Sequence, residues 1–222
     1  MSDYAVLDLF CGLGGFSAAF EESDRWSVTT VDIESRFDPD IEADVFDLRP
    51  SDFSGRRFDV VLASPPCTEF SIAASRFYRF EDGDPQTDAA ADALALVHHT
   101  VGLIEGLAPR YWVLENPVGK LRNVWRPPAA TLTQCQYGRA HQKPTDLWGE
   151  LPPTAWRSCS PGDDCHDDEP RGMGGGENHI RDPAERAKVP HELSKAIRDA
   201  CEAGLDGEVA EQTTLGAVVD DD

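Results

Sequence analysis

An apolar, strand-like run over residues 5–10 breaks directly into Cys11-Gly12-Leu13-Gly14-Gly15 and restarts as a helix-like run over 16–22. A strand that ends in glycines and reopens as a helix leaves backbone N–H groups at the helix N-terminus with no Cβ in the way. That unit commits the start of the chain to an α/β arrangement with a nook for a small ligand carrying an anionic group. A dinucleotide and S-adenosylmethionine both answer that description. The dinucleotide pattern G-x-G-x-x-G fits Gly12 and Gly14 but meets Ser17 at its third glycine, and no P-loop lysine follows.

The rest of the chain continues the alternation. Residues 26–33 form a β-rich run with Asp32 near its end, where nucleotide-type folds hold ribose hydroxyls. A weaker candidate strand covers 41–45. Residues 58–63 are strongly apolar and run into Ser64-Pro65-Pro66-Cys67, and 89–107 carries Leu94, Val97, Val101 and Ile104 on one helical face. Residues 111–114 give another buried strand, ending in Glu115-Asn116-Pro117, and 131–137 reads as a further strand. Strands alternating with helices imply a Rossmann-like, mostly parallel sheet with helices on both faces. In such sheets ligands bind at the carboxyl ends of strands. The glycines, Asp32, Pro-Pro-Cys and Glu-Asn-Pro all fall there.

A chain of 222 residues fits one domain of ordinary size. Its expected divisions are a catalytic and cofactor-binding part over 1–148, a loop-rich recognition-like segment over 149–188, and an amphipathic helix over 189–203. An acidic, disordered tail is expected over 204–222. No apolar run reaches the roughly 20 residues of a membrane span, and no signal pattern opens the chain, so a cytoplasmic, monomeric protein is expected.

Composition narrows the setting. Forty-one acidic against twenty basic residues give a net charge of −21, and lysine occurs only at 120, 143, 188 and 195. Phosphate attraction normally asks for a basic face. An acid-rich, lysine-poor surface instead suits very high salt, where the Debye length falls to about 3 Å or less and self-repulsion is cheap. Six cysteines are too scattered for a disulfide framework. Cys11 and Cys67 sit at turns, as reactive or ligand-lining thiols do, while Cys201 lies in a helical pattern as a core residue. Cys159, Cys165 and His166, with His141 or His179 as fourth partner, have a C-x5-C-H spacing that is not a zinc knuckle, and no metal is expected. Arg76 and Arg79 read either as phosphate contacts or as a solvated loop face. His98-His99 reads as packing rather than a ligand pair.

Ser64-Pro65-Pro66-Cys67 selects the chemistry. Amino-group methyltransferases tend to close a similar tetrapeptide with an aromatic residue; here the fourth position is a nucleophile. C5 of cytosine is too weak a nucleophile to take a methyl group directly. Thiolate addition at C6 turns C5 into an enamine carbon, and an acid at N3 eases that addition. Glu115 lies at the end of a neighbouring strand, in a turn held by Asn116-Pro117.

In order and approximate spacing, residues 8–17, 64–71 and 115–117 resemble motifs I, IV and VI of the cytosine-C5 DNA methyltransferases. Gln134-Cys135-Gln136-Tyr137-Gly138, 143–148, 159–171 and 186–193 resemble the compact phage- and virus-type members, and together these stretches cover most of residues 4–200. The resemblance implies a class I S-adenosylmethionine-dependent fold and methyl transfer to DNA. Cys67 would add to C6, Glu115 would hold and protonate N3, and Asn116 would fix its loop. Phe10, Cys11, Gly12, Leu13 and Gly15 would line the S-adenosylmethionine site. Asp32 with Ile33 would take the ribose, Asp44 with Val45 the adenine, and Pro66 would pack near the cofactor. Departures are equally specific. The eighth motif, usually Gln-x-Arg-x-Arg, lacks its arginines, so either Arg139 or Lys143 substitutes or the site is electrostatically weaker. Position 68 is threonine where many members carry glutamine, the recognition segment is short, and the last motif shrinks to Val189-Pro190-His191-Glu192-Leu193. The alternatives left open are an RNA (tRNA) cytosine-C5 methyltransferase and a non-catalytic cofactor- and DNA-binding relative; a restriction or replication partner is unspecified.

Overall fold

A computed structural model describes residues 2–71, 79–160, 162–166 and 182–217. The apolar runs become strands: β1 (Tyr4–Leu9), β2 (Trp26–Asp32), β3 (Ile41–Glu42) and β4 (Val60–Ala63). A small antiparallel ribbon follows, β5 (Phe80–Glu81) with β6 (Asp84–Pro85), then β7 (Tyr111–Pro117), β8 (Ala130–Thr133) and β9 (Pro144–Trp148). Seven of these form one sheet in the order β3-β2-β1-β4-β7-β9-β8. β1, β2, β3, β4 and β7 pair in parallel, while β9 runs antiparallel to both β7 and β8. β9 is therefore the one reversed strand of the sheet, wedged between two that point the other way. The strand order turns back between β1 and β4, and the carboxyl ends there leave an opening.

Period-two alternation sorts each strand onto two faces. Leu7, Leu9, Val61, Ala63, Trp112 and Leu114 face one buried cluster with Val97, Val101 and Ile104 of helix α2 (Asp88–Leu107). Val6, Val60, Leu62, Tyr111 and Val113 face a second cluster with Phe20 of helix α1 (Ala18–Glu21) and Leu193, Ile197, Cys201 and Leu205 of the last helix. Both faces are covered, which is why these strands read as continuous apolar runs. Thr87 opens α2 by accepting the Ala90 N–H at 3.1 Å.

The expected strand over 131–137 stops at Thr133, and Gln134–Tyr137 coils into a 3-10 turn. Short helices α3 (Leu121–Val124) and α4 (Pro183–Ala187) precede the last one, α5 (His191–Ala217). The sequence placed the end of that helix at 203 and a disordered tail after it; the helix instead continues to Ala217. Its extension has partners: Leu205 is buried, and Asp206 accepts the Tyr4 hydroxyl at 2.6 Å and pairs with Arg25 at 2.7 Å. Acidic composition hid those contacts. Among the described residues no helix is long and apolar enough to cross a membrane.

Candidate active site

The glycine turn forms one wall of a cleft of about 370 Å³ at the carboxyl ends of β1, β2 and β4. Phe10 takes a left-handed conformation (φ 62°), followed by Gly12 (φ 51°) and Gly14 (φ 70°). Glycine relieves that strain at two of the three positions. Gly15 is required for a different reason: a Cβ there would lie 2.7 Å from the Val189 carbonyl oxygen, so the turn and the opposite wall touch. Asp32 is buried and each of its oxygens accepts a backbone N–H, that of Gly12 at 2.9 Å on one and that of Glu34 at 2.9 Å on the other. The carboxylate thereby ties the end of β2 to the turn.

Beneath the turn, Ser17 donates a 2.7 Å hydrogen bond to fully buried Asp8. Burial raises the Asp8 carboxyl to about 7, against the opposing pull of that hydrogen bond. The residue that replaces the third glycine is thus a donor to a buried acid. Cys11 is pushed up to about 12 by burial and the nearby Asp8 and Asp32, which leaves it a lining thiol and not a nucleophile.

Phe10, Cys11, Gly12, Leu13, Gly15, Asp32, Ile33 and Pro66 all line this one cleft. Asp44 and Val45 do not. Asp44 accepts the Phe46 N–H at 2.9 Å to cap a 3-10 turn, and Val45 packs into the core. Ser64, the polar head of the Pro-Pro-Cys segment, joins the lining, as do Arg36 and Lys188.

Cys67 also lines the cleft, half-buried, in the loop leaving β4. Asn116 anchors that loop by donating from Nδ2 to the Pro65 carbonyl at 3.0 Å. Glu115, the residue before it on β7, is buried. Gln134 donates from Nε2 to Thr145 Oγ1 at 3.0 Å and more loosely to Glu115 Oε1 at 3.4 Å, and Arg139 donates to Gln134 Oε1 at 3.0 Å. The motif-VIII glutamine therefore braces the acid, a role its position alone did not disclose.

Burial raises the Glu115 carboxyl above the usual carboxylate range, with Lys143 and Arg139 pulling the other way. Burial and then the Glu115 charge raise the Cys67 thiol, and Lys143 and Arg186 oppose them. Lys143 is thus the cation that acts on both groups. Arg139 donates to the carbonyls of Lys188 (2.7 Å) and Arg186 (2.8 Å), and Lys143 Nζ donates to the Arg186 carbonyl at 2.8 Å. Both cations sit at the carboxyl end of α4, where free carbonyls welcome them. Arg79 is ion-paired with Glu69, and Arg76 lies outside the described residues. His99 contacts the Leu48 carbonyl at 3.2 Å and His98 packs edge-on to Trp125.

A mostly parallel sheet, a glycine turn locked by an acid at the end of the second strand, and a cysteine beside a buried glutamic acid define a Rossmann-like class I methyltransferase. Residues 4–126, more than half of the chain, match the family described as C-5 cytosine-specific DNA methylase, and the chain belongs to that family. It is similar to a probable DNA (cytosine-5)-methyltransferase of Frog virus 3, 29% identical over 182 residues, covering 79% of this chain and 84% of the viral one. It is also similar to the Type II methyltransferase M.DdeI of Desulfomicrobium norvegicum, 28% identical over 128 residues that make up 52% of this chain but only 28% of that enzyme. The solved Entamoeba histolytica methyltransferase EhMeth shares the fold, with a TM-score of 0.50 at 12% identity over 72% of this chain and 58% of that one. S-adenosylmethionine is the methyl donor of this family, and the cleft fits it. Ser64 Oγ is buried among the lining residues with no hydrogen-bond partner among the described residues, and the glycine turn leaves room beside the backbone of Gly12 and Gly14, where a Cβ would meet nothing within 4 Å.

Proposed function

We propose that the chain methylates C5 of cytosine in DNA through a covalent bond between Cys67 Sγ and C6 of the base. The observation that carries this reading is the pairing itself. A half-buried thiol is set among the charges of Lys143, Arg186 and Glu115, with the acid kept towards its neutral form by burial. In the cleft, Phe10, Leu13, Asp32, Ile33 and Pro66 would hold S-adenosylmethionine, which supplies an electrophilic methyl group when bound.

The remaining steps belong to the chain's own side chains. The Cys67 thiolate attacks C6, the C5=C6 π pair moves into the ring, and Glu115 gives its proton to N3. C5 of the resulting enamine is then the nucleophile for the methyl group that S-adenosylmethionine would supply, with S-adenosylhomocysteine as the leaving group. When a base removes the C5 proton, the electron pair re-forms C5=C6, the S–C6 bond breaks to restore the Cys67 thiolate, and N3 returns its proton to Glu115. Asn116 keeps the thiol in place through Pro65, and Gln134 keeps Glu115 aimed. The target base must leave the duplex to reach Cys67, at a cost of a few kcal/mol. Five cations near the cleft, Arg36, Arg139, Lys143, Arg186 and Lys188, supply local positive charge on an acidic molecule that we place in a high-salt setting.

Cys67→Ala should abolish 5-methylcytosine formation while S-adenosylmethionine still binds by calorimetry. Duplex DNA carrying 5-fluorocytosine, from which C5 cannot lose a proton, should trap a Cys67-dependent adduct. Methylation that survives in Cys67→Ala would overturn the reading. Tritium transfer run in parallel on duplex DNA and tRNA reports which nucleic acid is used.

A further inference from the structure

Cys159, Cys165 and His166 acquire a fourth companion that spacing does not reveal. The 3-10 turn after β8 swings Cys135 toward the loop that carries the other three. The donor atoms of Cys135, Cys159, Cys165 and His166 all lie within 4.8 Å of one another. Cys135 Sγ is 3.4 Å from Cys159 Sγ and 3.5 Å from Cys165 Sγ. His166 Nδ1 is 3.4 Å from Cys165 Sγ and 3.9 Å from Cys159 Sγ.

We propose that these four residues hold a structural zinc ion. A tetrahedral zinc with Zn–S of about 2.3 Å and Zn–N of about 2.0–2.1 Å has S···S edges of about 3.8 Å and S···N edges of about 3.5 Å. The S···S separations of 3.4 and 3.5 Å fall short of their edge, the S···N separations of 3.4 and 3.9 Å bracket theirs, and every donor pair is within 4.8 Å, so the ion enters as the donors adjust around it. Three thiolates and one imidazole are a closed set for a soft, borderline cation, with no position left for water and nothing to attract magnesium or calcium. The surroundings support the donors. Gln142 Nε2 lies 3.1 Å from Cys159 Sγ as a donor to a thiolate, and the Cys159 N–H is fixed on Thr133 Oγ1 at 2.8 Å. A disulfide between two of the thiols would account for neither the third nor the histidine.

The ion would act as a clasp. It would join the loop at 159–166 to the residue next to Gln134, whose side chain braces Glu115. The inference rests on the four donors and not on the methyl-transfer reading, and its test does not require activity.

The full chain, purified without chelator, should carry about one zinc per chain by plasma mass spectrometry. Cobalt exchanged into the same protein should show the ligand-field and sulfur-to-metal charge-transfer bands of a tetrahedral, thiolate-rich site. Cys135→Ser, Cys165→Ser and His166→Ala should each lose most of the metal, while Cys67→Ala, whose thiol lies elsewhere, should keep it. The cobalt spectrum of the unmutated chain reads the ligand set even if a variant fails to fold. The proposal is overturned if the purified chain is zinc-free and yields no thiolate–cobalt bands, or if the three ligand variants retain their metal. A disulfide mapped between Cys135 and either Cys159 or Cys165 would also overturn it.

Discussion

Lys143 acts on both Cys67 and Glu115, and it dictates how they should respond to substitution. Its charge lowers the Cys67 thiol and the Glu115 carboxyl alike. Lys143→Met should raise both, so the thiolate fraction at a fixed pH falls and alkylation of Cys67 by iodoacetamide slows. Glu115→Gln should do the reverse to the thiol wherever Glu115 is ionised, since a like charge is removed. Methyl transfer should nonetheless drop by about 10²–10⁴-fold, because N3 loses its proton donor. An alkylation rate unchanged in both variants would sink this account. Asp8 gives a stability prediction. Its folded value of about 7 lies above the unfolded value of about 3.9, so the native state binds the extra proton. Its contribution is full below about pH 4 and is lost as pH rises to about 7. Asp8→Asn should therefore match the parent chain in acid and exceed it by up to a few kcal/mol above pH 7 in urea titrations. At this scale the Pro-Pro-Cys and Glu-Asn-Pro segments were legible as candidates, because they carry their chemistry in their side chains. Gln134 and Cys135 were not. Their roles depend on a 3-10 turn that brings them to residues distant in sequence, and no local pattern announces it.

Among the elements, α5 carries the most information. Gly204 sits inside the helix, where glycine costs about 1 kcal/mol relative to alanine. Packing explains it: a Cβ at 204 would lie 2.2 Å from the Tyr111 hydroxyl, so the helix can lie close to β7 only with glycine there. Gly204→Ala should lower stability by about 1–3 kcal/mol in spite of its better helix propensity. A rise in the denaturant midpoint would show that Tyr111 simply swings aside. Strands β1, β4 and β7 were readable because burial on both faces makes them mostly apolar. The reversal of β9 was not, since strand direction leaves no mark on composition. Nor was the end of α5, whose acids serve as partners: Glu202 accepts the Trp26 indole N–H at 2.7 Å, and Asp206 pairs with Arg25.

The whole molecule carries a charge of −21, and of its four lysines Lys143 and Lys188 stand at the active-site wall. Self-repulsion of that size is relieved by screening, so the melting temperature should climb steeply with KCl between dilute and molar salt. Full stability in dilute buffer would contradict the high-salt setting. A last consequence concerns the order in which the protein is made. Ser194 accepts the Ala19 N–H at 3.0 Å and donates to the Phe16 carbonyl at 2.7 Å, and Val189 presses against Gly15. The unit of β1 and α1 is thus completed by a residue 175 positions further along the chain. Until α5 emerges, Phe16, Phe20 and Trp26 have no lid, and the glycine turn has no opposite bank. Such long-range closure predicts slow folding and a nascent chain exposed to chaperones until α5 has been made.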